Sequence, residues 1–356
     1  MPRRLGPLRL PRIRCSRAVA RRWLLTAAAL AWLAVGGYGC FAYIDAYWTY
    51  RGFPPPRDPA GVPSGSLRRE SFFSPALRAW RSYLVYLPPG YGAAARRLVR
   101  FPALYLLHPP PGRPDEYVQA GAAAVRLDEL IHRNTLRPFL LVLPFGSSRR
   151  FRNDTEWANA GAGRYENFVL DTVHAVDSRW STRRERAGRA IAGLSEGGYG
   201  AMNIALHHLD TFSVAESWSG YFDQTRSAAF AGASDSLLRA NSPSAYVGGL
   251  ARALRRMPLH AFVYQGNRDD VPLSALQRFA GRLRRAGGHV WTAVWPGHHS
   301  WRLWHAHVPA MLSFAGHWLG GGSGREPRGR GGRSGGRRAH GPRAGLPRRR
   351  RHRSKR

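Results

Sequence analysis

The chain has 356 residues, 44% of them hydrophobic, with 55 lysines and arginines against 21 acids, a net charge of +34 and two cysteines. That length admits two average domains or one large α/β domain with tails. Cys15 and Cys40 both fall before residue 44, so the remainder can hold neither a disulfide nor a thiolate metal site.

Residues 1–22 carry eight arginines and no acid, and Trp23 to Tyr43 carry no charge at all. A helix needs about 20 apolar residues to cross the hydrocarbon of a bilayer, so 23–43 is expected to be a transmembrane signal anchor. The basic segment then stays in the cytoplasm and sends everything after Tyr43 outward. A cleaved signal peptide, which would release the protein, is the competing reading, although its apolar region runs only about 7 to 15 residues. Residues 44–65, with FPPPRDPAGVPSGS, read as a Pro/Gly-rich linker.

From 66 to 319 the apolar runs come at intervals that suit a single α/β domain. RSYLVYLPPGY is a strand stopped by Pro88 and Pro89, and FPALYLLH is a strand buried on both faces. VRLDELIHRN reads as a helix, FLLVLPFG as a strand, and YENFVLDTVHAVDSRW as a helix with Phe168, Val169, Val173 and Val176 on one side. RAIAGLS is the next strand and GGYGAMNIALHHL the helix after it. FSVAESWSG, LHAFVYQGN and HVWTAVWPG are three more strands, with a helix ended by Gly287 and Gly288 between the last two. Strands separated by helices imply a mostly parallel sheet covered on both faces. Residues 320–356 are almost entirely Gly, Arg, Pro, Ser and His and are expected to be a disordered tail.

The charge therefore sits largely at the ends. About +8 belongs to the leader and about +13 to the tail, leaving roughly +13 on the body, basic but short of a nucleic-acid surface. No nucleic-acid module is recognisable, and anionic envelope polymers or lipid headgroups are the expected partners of the tail.

In IAGLSEGGYG a serine stands between two glycines where a buried strand meets a helix. The pattern alone carries little, because Gly332 to Gly336 fit it inside the tail. At a strand-to-helix turn, however, Gly193 and Gly197 allow close backbone approach, and the helix N-terminus favours negative charge. Ser195 is then a candidate nucleophile with the Glu196 N–H as one oxyanion donor; a capped connection with no chemistry is the bland alternative. A serine needs a base and an orienting acid. GNRDD offers Asp269 or Asp270 after one strand, and GHHSW offers His298 or His299 after the last, in the Ser, Asp, His order of an α/β-hydrolase.

FPALYLLH, GLSEGGYGAMNIALHH, ESWSGYF, GNRDD and GHHSW together resemble the esterase family that contains esterase D and the antigen 85 mycolyltransferases, and DTEWANAGAGRYENFVLDTVHAVDSRW resembles its actinobacterial members. The resemblance implies an α/β-hydrolase fold, an acyl-enzyme mechanism without metal or other cofactor, and acyl ester substrates. It selects Asp269 as the acid and His299 as the base. It also implies hydrolysis or transfer of the acyl chain to a sugar hydroxyl, which share one acyl-enzyme. Family members read LLHG where this chain reads LLHPPPGRP. Proline has no N–H, so the second oxyanion donor falls to Gly112 or Arg113, with Gly112 preferred. Losing such a donor costs about 2.7 to 4 kcal/mol of transition-state stabilisation. The proline loop also suits a non-catalytic envelope protein that keeps the scaffold for binding. Asp154, Trp157 and Trp301 are candidate substrate contacts, and Trp218 and Trp304 could line an acyl pocket.

Overall fold

The computed structural model describes residues 17–146, 154–226 and 228–320. The start of the basic leader and the Gly/Arg tail beyond Gly320 lie outside the described residues.

Helix α1 spans Arg17–Tyr50. The strands of the main sheet that follow are β1 (Ser66–Ser74), β2 (Ala79–Leu87), β3 (Ala103–Leu107), β4 (Leu140–Pro144), β5 (Arg189–Leu194), β6 (Val214–Trp218), β7 (His260–Arg268) and β8 (His289–His298), apart from a short hairpin of Asn159–Ala160 and Gly163–Arg164. Helix α2 (Ala123–His132) lies between β3 and β4, α3 (Tyr165–Arg179) between β4 and β5, and α4 (Glu196–His207) between β5 and β6. Helix α5 (Leu273–Ala286) joins β7 to β8, and α6 (Trp301–Leu319) follows β8. All eight strands form one sheet in the order β1-β2-β4-β3-β5-β6-β7-β8. β1 and β2 are antiparallel to their neighbours and the rest are parallel.

The central strands are buried on both faces because each residue of a strand points opposite to the next. In β3, Ala103, Tyr105 and Leu107 enter one core cluster while Leu104 and Leu106 enter the other. The first cluster is closed by Phe168, Val169 and Val173 of α3, Ile204 of α4 and Phe279 of α5; the second by Leu127 of α2 and Val308 and Leu312 of α6. The expected sheet with helices on both faces is therefore present, and Gly287, at φ 104°, ends α5 where the sequence places its stop.

Two segments depart from expectation. Ser66–Ser74 is a strand that its charged sequence, SLRRESFFS, conceals; it lies at the sheet edge, where charges on an exposed face discourage further pairing. The linker also begins later than expected. IDAYWTY contains no helix breaker, so α1 runs on through Ile44–Tyr50 and stops only before Gly52 and Pro54. Beyond it the chain is tied down: Phe53 stacks on His305, and the Gly65 N–H donates to Asp128 at 3.1 Å.

Backbone packing fixes the turn between β5 and α4. A Cβ on Gly197 would stand 1.9 Å from the Leu107 carbonyl oxygen, and one on Gly193 would stand 2.2 Å from Gly197. Gly197→Ala is expected to lower folding stability by about 3 kcal/mol or more, since overpacked backbone cannot yield cheaply. Gly248→Ala, where a Cβ meets nothing within 4 Å, should stay within about 1 kcal/mol of the parent. Urea unfolding of the two variants checks the contrast.

Candidate active site

Ser195 occupies the sharp turn, with φ 56° and ψ −121°. A residue with a side chain is strained there, and the surroundings hold it. Its N–H donates to the Trp218 carbonyl at 2.7 Å, and its carbonyl accepts the N–H groups of Gly198 and Tyr199. The hydroxyl stands at the carboxyl end of β5, at the head of α4.

Asp269 follows β7 and His299 follows β8, both at the same end of the sheet. Ser195 Oγ and His299 Nε2 are 2.9 Å apart, and His299 Nδ1 is 2.8 Å from Asp269 Oδ1. A carboxylate only accepts, so Nδ1 carries the imidazole proton and Nε2 turns its lone pair to the serine hydroxyl. The two other sequence candidates, Asp270 and His298, are exposed.

Asp269 is held from several sides. Besides His299, the Ser219 hydroxyl donates to its Oδ2 at 2.6 Å, and the N–H groups of Gly266 and Val271 donate at 3.3 Å. Burial alone would raise its pKa, but these bonds, led by that from His299, outweigh it and hold the carboxyl below its ordinary range. Ser219 in turn accepts the Trp304 indole N–H at 3.1 Å, and the Trp304 ring meets His299 edge-on at 5.1 Å. Ser219 escaped the sequence reading because a serine in ESWSGYF carries no distinguishing mark. Its position after β6, with φ 51°, appears only in the fold.

Glu196 is the first residue of α4, where the backbone N–H has no partner within the helix. Its side chain is buried beside Thr155, and burial followed by the neighbouring Asp154 raises its pKa well above the ordinary carboxyl range. Glu156 is buried too, accepting from Tyr221 and, at 2.9 Å, from the Gln224 amide; burial pushes its pKa up to about 7 despite those donors.

The proline loop is built around His108. Its Nδ1–H donates to the Pro109 carbonyl at 3.1 Å, and its Nε2 accepts the Gly146 N–H at 3.1 Å, so the ring is neutral. Burial lowers its pKa to about 4. The carbonyls of Leu107 and His108 are what pack against the Ser195 turn. A Cβ on Gly112 would meet the Pro109 carbonyl and Glu116. Arg51, following α1, pairs with Glu116 and donates to the Pro111 carbonyl.

The expected aromatic contacts also change role. Trp157 is 1% exposed, donates its indole N–H to the His108 carbonyl at 2.9 Å and fills the space left by Gly146 and Gly200. It anchors the loop from within. Trp301 is buried edge-on against Tyr117 and Trp304, and Trp218 lies buried with its N–H on Glu216. Asp154 remains partly exposed and accepts the Glu156 N–H at 3.3 Å.

The family profile described as "Putative esterase" matches residues 74–315. The chain belongs to this esterase family. An endo-1,4-β-xylanase/feruloyl esterase of Xylanibacter ruminicola is 29% identical over 153 residues, 42% of this chain and 20% of that protein. The diacylglycerol acyltransferase/mycolyltransferase Ag85A of Mycobacterium ulcerans is 25% identical over 223 residues, 51% of this chain and 64% of that protein. The chain thus spans less than two thirds of the length of either curated relative. Among solved structures, a ferulic acid esterase superposes with a TM-score of 0.64 at 24% identity, covering 72% of this chain and 99% of that one. The likeness extends the α/β-hydrolase fold to this member of the esterase family.

The buried acids predict a pH dependence. A carboxyl whose pKa is raised in the folded state contributes its full stability below about pH 4.5 and loses it as pH rises through about 7. Glu156→Gln should therefore raise the stability at pH 8 by up to about 3 kcal/mol, at 1.36 kcal/mol per pKa unit, and change little at pH 4. Thermal unfolding of both proteins at the two pH values measures the difference.

Proposed function

We propose that this esterase-family chain is a serine ester hydrolase working through an acyl-enzyme. The observation that carries the reading is the single imidazole of His299 spanning Ser195 and Asp269 at 2.9 and 2.8 Å. His299 takes the Ser195 proton as Oγ attacks the acyl carbonyl, and Asp269 holds the imidazolium that results. The Glu196 N–H and the N-terminus of α4 face the developing oxyanion. Collapse passes the proton to the leaving alcohol oxygen and leaves the acyl group on Ser195. A water, deprotonated by His299, then releases the acid and restores the serine.

Helix α1 has an apolar stretch long enough to cross a membrane, within Arg21–Tyr50. We read it as an anchor with its eight preceding arginines in the cytoplasm and the esterase domain outside. Its continuity to Tyr50, with Arg51 and Phe53 tied to the domain, supports an anchor over a removed leader.

Transfer of the acyl chain to a sugar hydroxyl is a second reading, supported by the similarity to Ag85A. It needs only that an alcohol replace water at the acyl-enzyme. Incubation with a fluorophosphonate should give one adduct, mapped to Ser195 and missing from Ser195→Ala. Asp269→Asn should retain the fold and lose about 10⁴ in kcat, because the amide supports the wrong tautomer of His299. No adduct on the folded parent would leave only a binding scaffold; p-nitrophenol release that requires added trehalose would favour transfer.

A further inference from the structure

The end of α1 docks on the rim of the candidate site. Arg51 lies 4.3 Å over the Trp48 ring, donates to the Pro111 carbonyl at 3.3 Å and pairs with Glu116. Phe53 stacks on His305 with ring centres 4.1 Å apart and planes within 7°. Pro111 and Glu116 belong to the segment leaving β3, whose Leu107 pairs with Gly193 beside Ser195. His305 lies in α6, the helix that begins two residues after His299. Both contacts are thus at the carboxyl end of the parallel strands, where Ser195, Asp269 and His299 meet.

The same end carries a second surface suited to a membrane. β2 runs antiparallel to β4, with Tyr83 opposite Pro144 at the end of β4, so Trp80 projects beyond that edge. Phe73 pairs with Trp80 across the hairpin, their rings 6.3 Å apart, and they are 52% and 72% exposed. They are the exposed aromatic side chains among the described residues outside α1, and Arg78 stands exposed in the turn between their strands.

Length decides the orientation. The expected span ends at Tyr43, one residue before the uncharged run does, and Ile44–Tyr50 continue as helix, adding about 10 Å at about 1.5 Å per residue. The headgroup layer on each side of a bilayer is about 5 to 8 Å deep, so the rim clamped by Arg51 sits against it. Tyr43, Tyr47 and Trp48 are exposed at the level where aromatic belts meet headgroups.

We infer that the carboxyl-end rim faces the bilayer that holds α1, and that Ser195 acts on acyl esters resident in that bilayer at headgroup depth. This rests on the esterase and anchor readings and adds the source of the substrate. The reaction is unchanged: the lipid ester bond breaks, the acyl carbon bonds to Ser195 and then to water oxygen, and the lipid alcohol leaves with the proton from His299.

The test uses the full chain in vesicles of phosphatidylcholine and phosphatidylglycerol, with p-nitrophenyl palmitate dissolved in the bilayer and p-nitrophenyl acetate in the water. A flexible Gly/Ser insert of about 20 residues between Tyr50 and Arg51, spanning about 25 Å, keeps the Arg51 and Phe53 contacts but frees the rim from the membrane. Palmitate turnover should fall about tenfold or more as the effective concentration drops, with acetate turnover within about twofold of the parent. A chain carrying both Phe73→Ser and Trp80→Ser should show a lowered ratio of palmitate to acetate turnover, and it decides the matter if the insert lowers both rates alike. Palmitate turnover unmoved by the insert, or acetate turnover with none of palmitate, overturns the inference and points to soluble esters. A parent chain inactive on acetate overturns the esterase reading instead.

Discussion

The site depends on one contact without side chains, the backbone of Gly197 lying on the Leu107 carbonyl. It brings the head of α4 against the end of β3 and forces Ser195 into a conformation that a residue with a Cβ adopts at a cost of about 1 to 3 kcal/mol. Two cores, one on each face of the sheet, supply the rigidity that sustains this strain. A looser turn would let Ser195 relax and move Oγ away from His299.

Polarity around the turn follows the same economy of arrangement. Asp269 keeps its charge because His299, Ser219 and two backbone N–H groups surround it. Glu196, next to the nucleophile, has its pKa raised well above the ordinary carboxyl range by burial, with Asp154 adding to it. The two carboxyls are thus shifted in opposite directions, Asp269 down by its donors and Glu196 up by burial. His108 and Trp157 hold the proline loop by hydrogen bonds to its backbone and to Gly146, so its shape does not rely on the proline rings alone.

The sheet was legible in the sequence because buried parallel strands leave continuous apolar runs, as in ALYLL and LLVLP. Ser195 follows such a run, the pairs Asp269/Asp270 and His298/His299 follow later strands, and the family resemblance selected Asp269 and His299 from them. What stayed hidden depends on contacts between distant residues. Arg51 docks on Pro111 and Glu116, some sixty residues later, and nothing in the sequence marks that pairing. Trp157 reads as a substrate contact because it follows the FLLVLPFG strand, where a loop would overhang the site, whereas it is buried against Gly146 and Gly200. Edge strand β1 was missed because exposure lets it carry charge in place of the apolar pattern.

The central claim, that Ser195 becomes acylated with His299 as its base, is tested most directly by stopped-flow kinetics with a p-nitrophenyl ester at chain concentrations comparable to the substrate. The account predicts that an acyl-enzyme forms on Ser195: a burst of up to one p-nitrophenolate per chain, with the acyl group recovered on Ser195 after acid quench and neither seen in Ser195→Ala. Turnover that persists in Ser195→Ala, or an acyl group recovered on another residue, would contradict it.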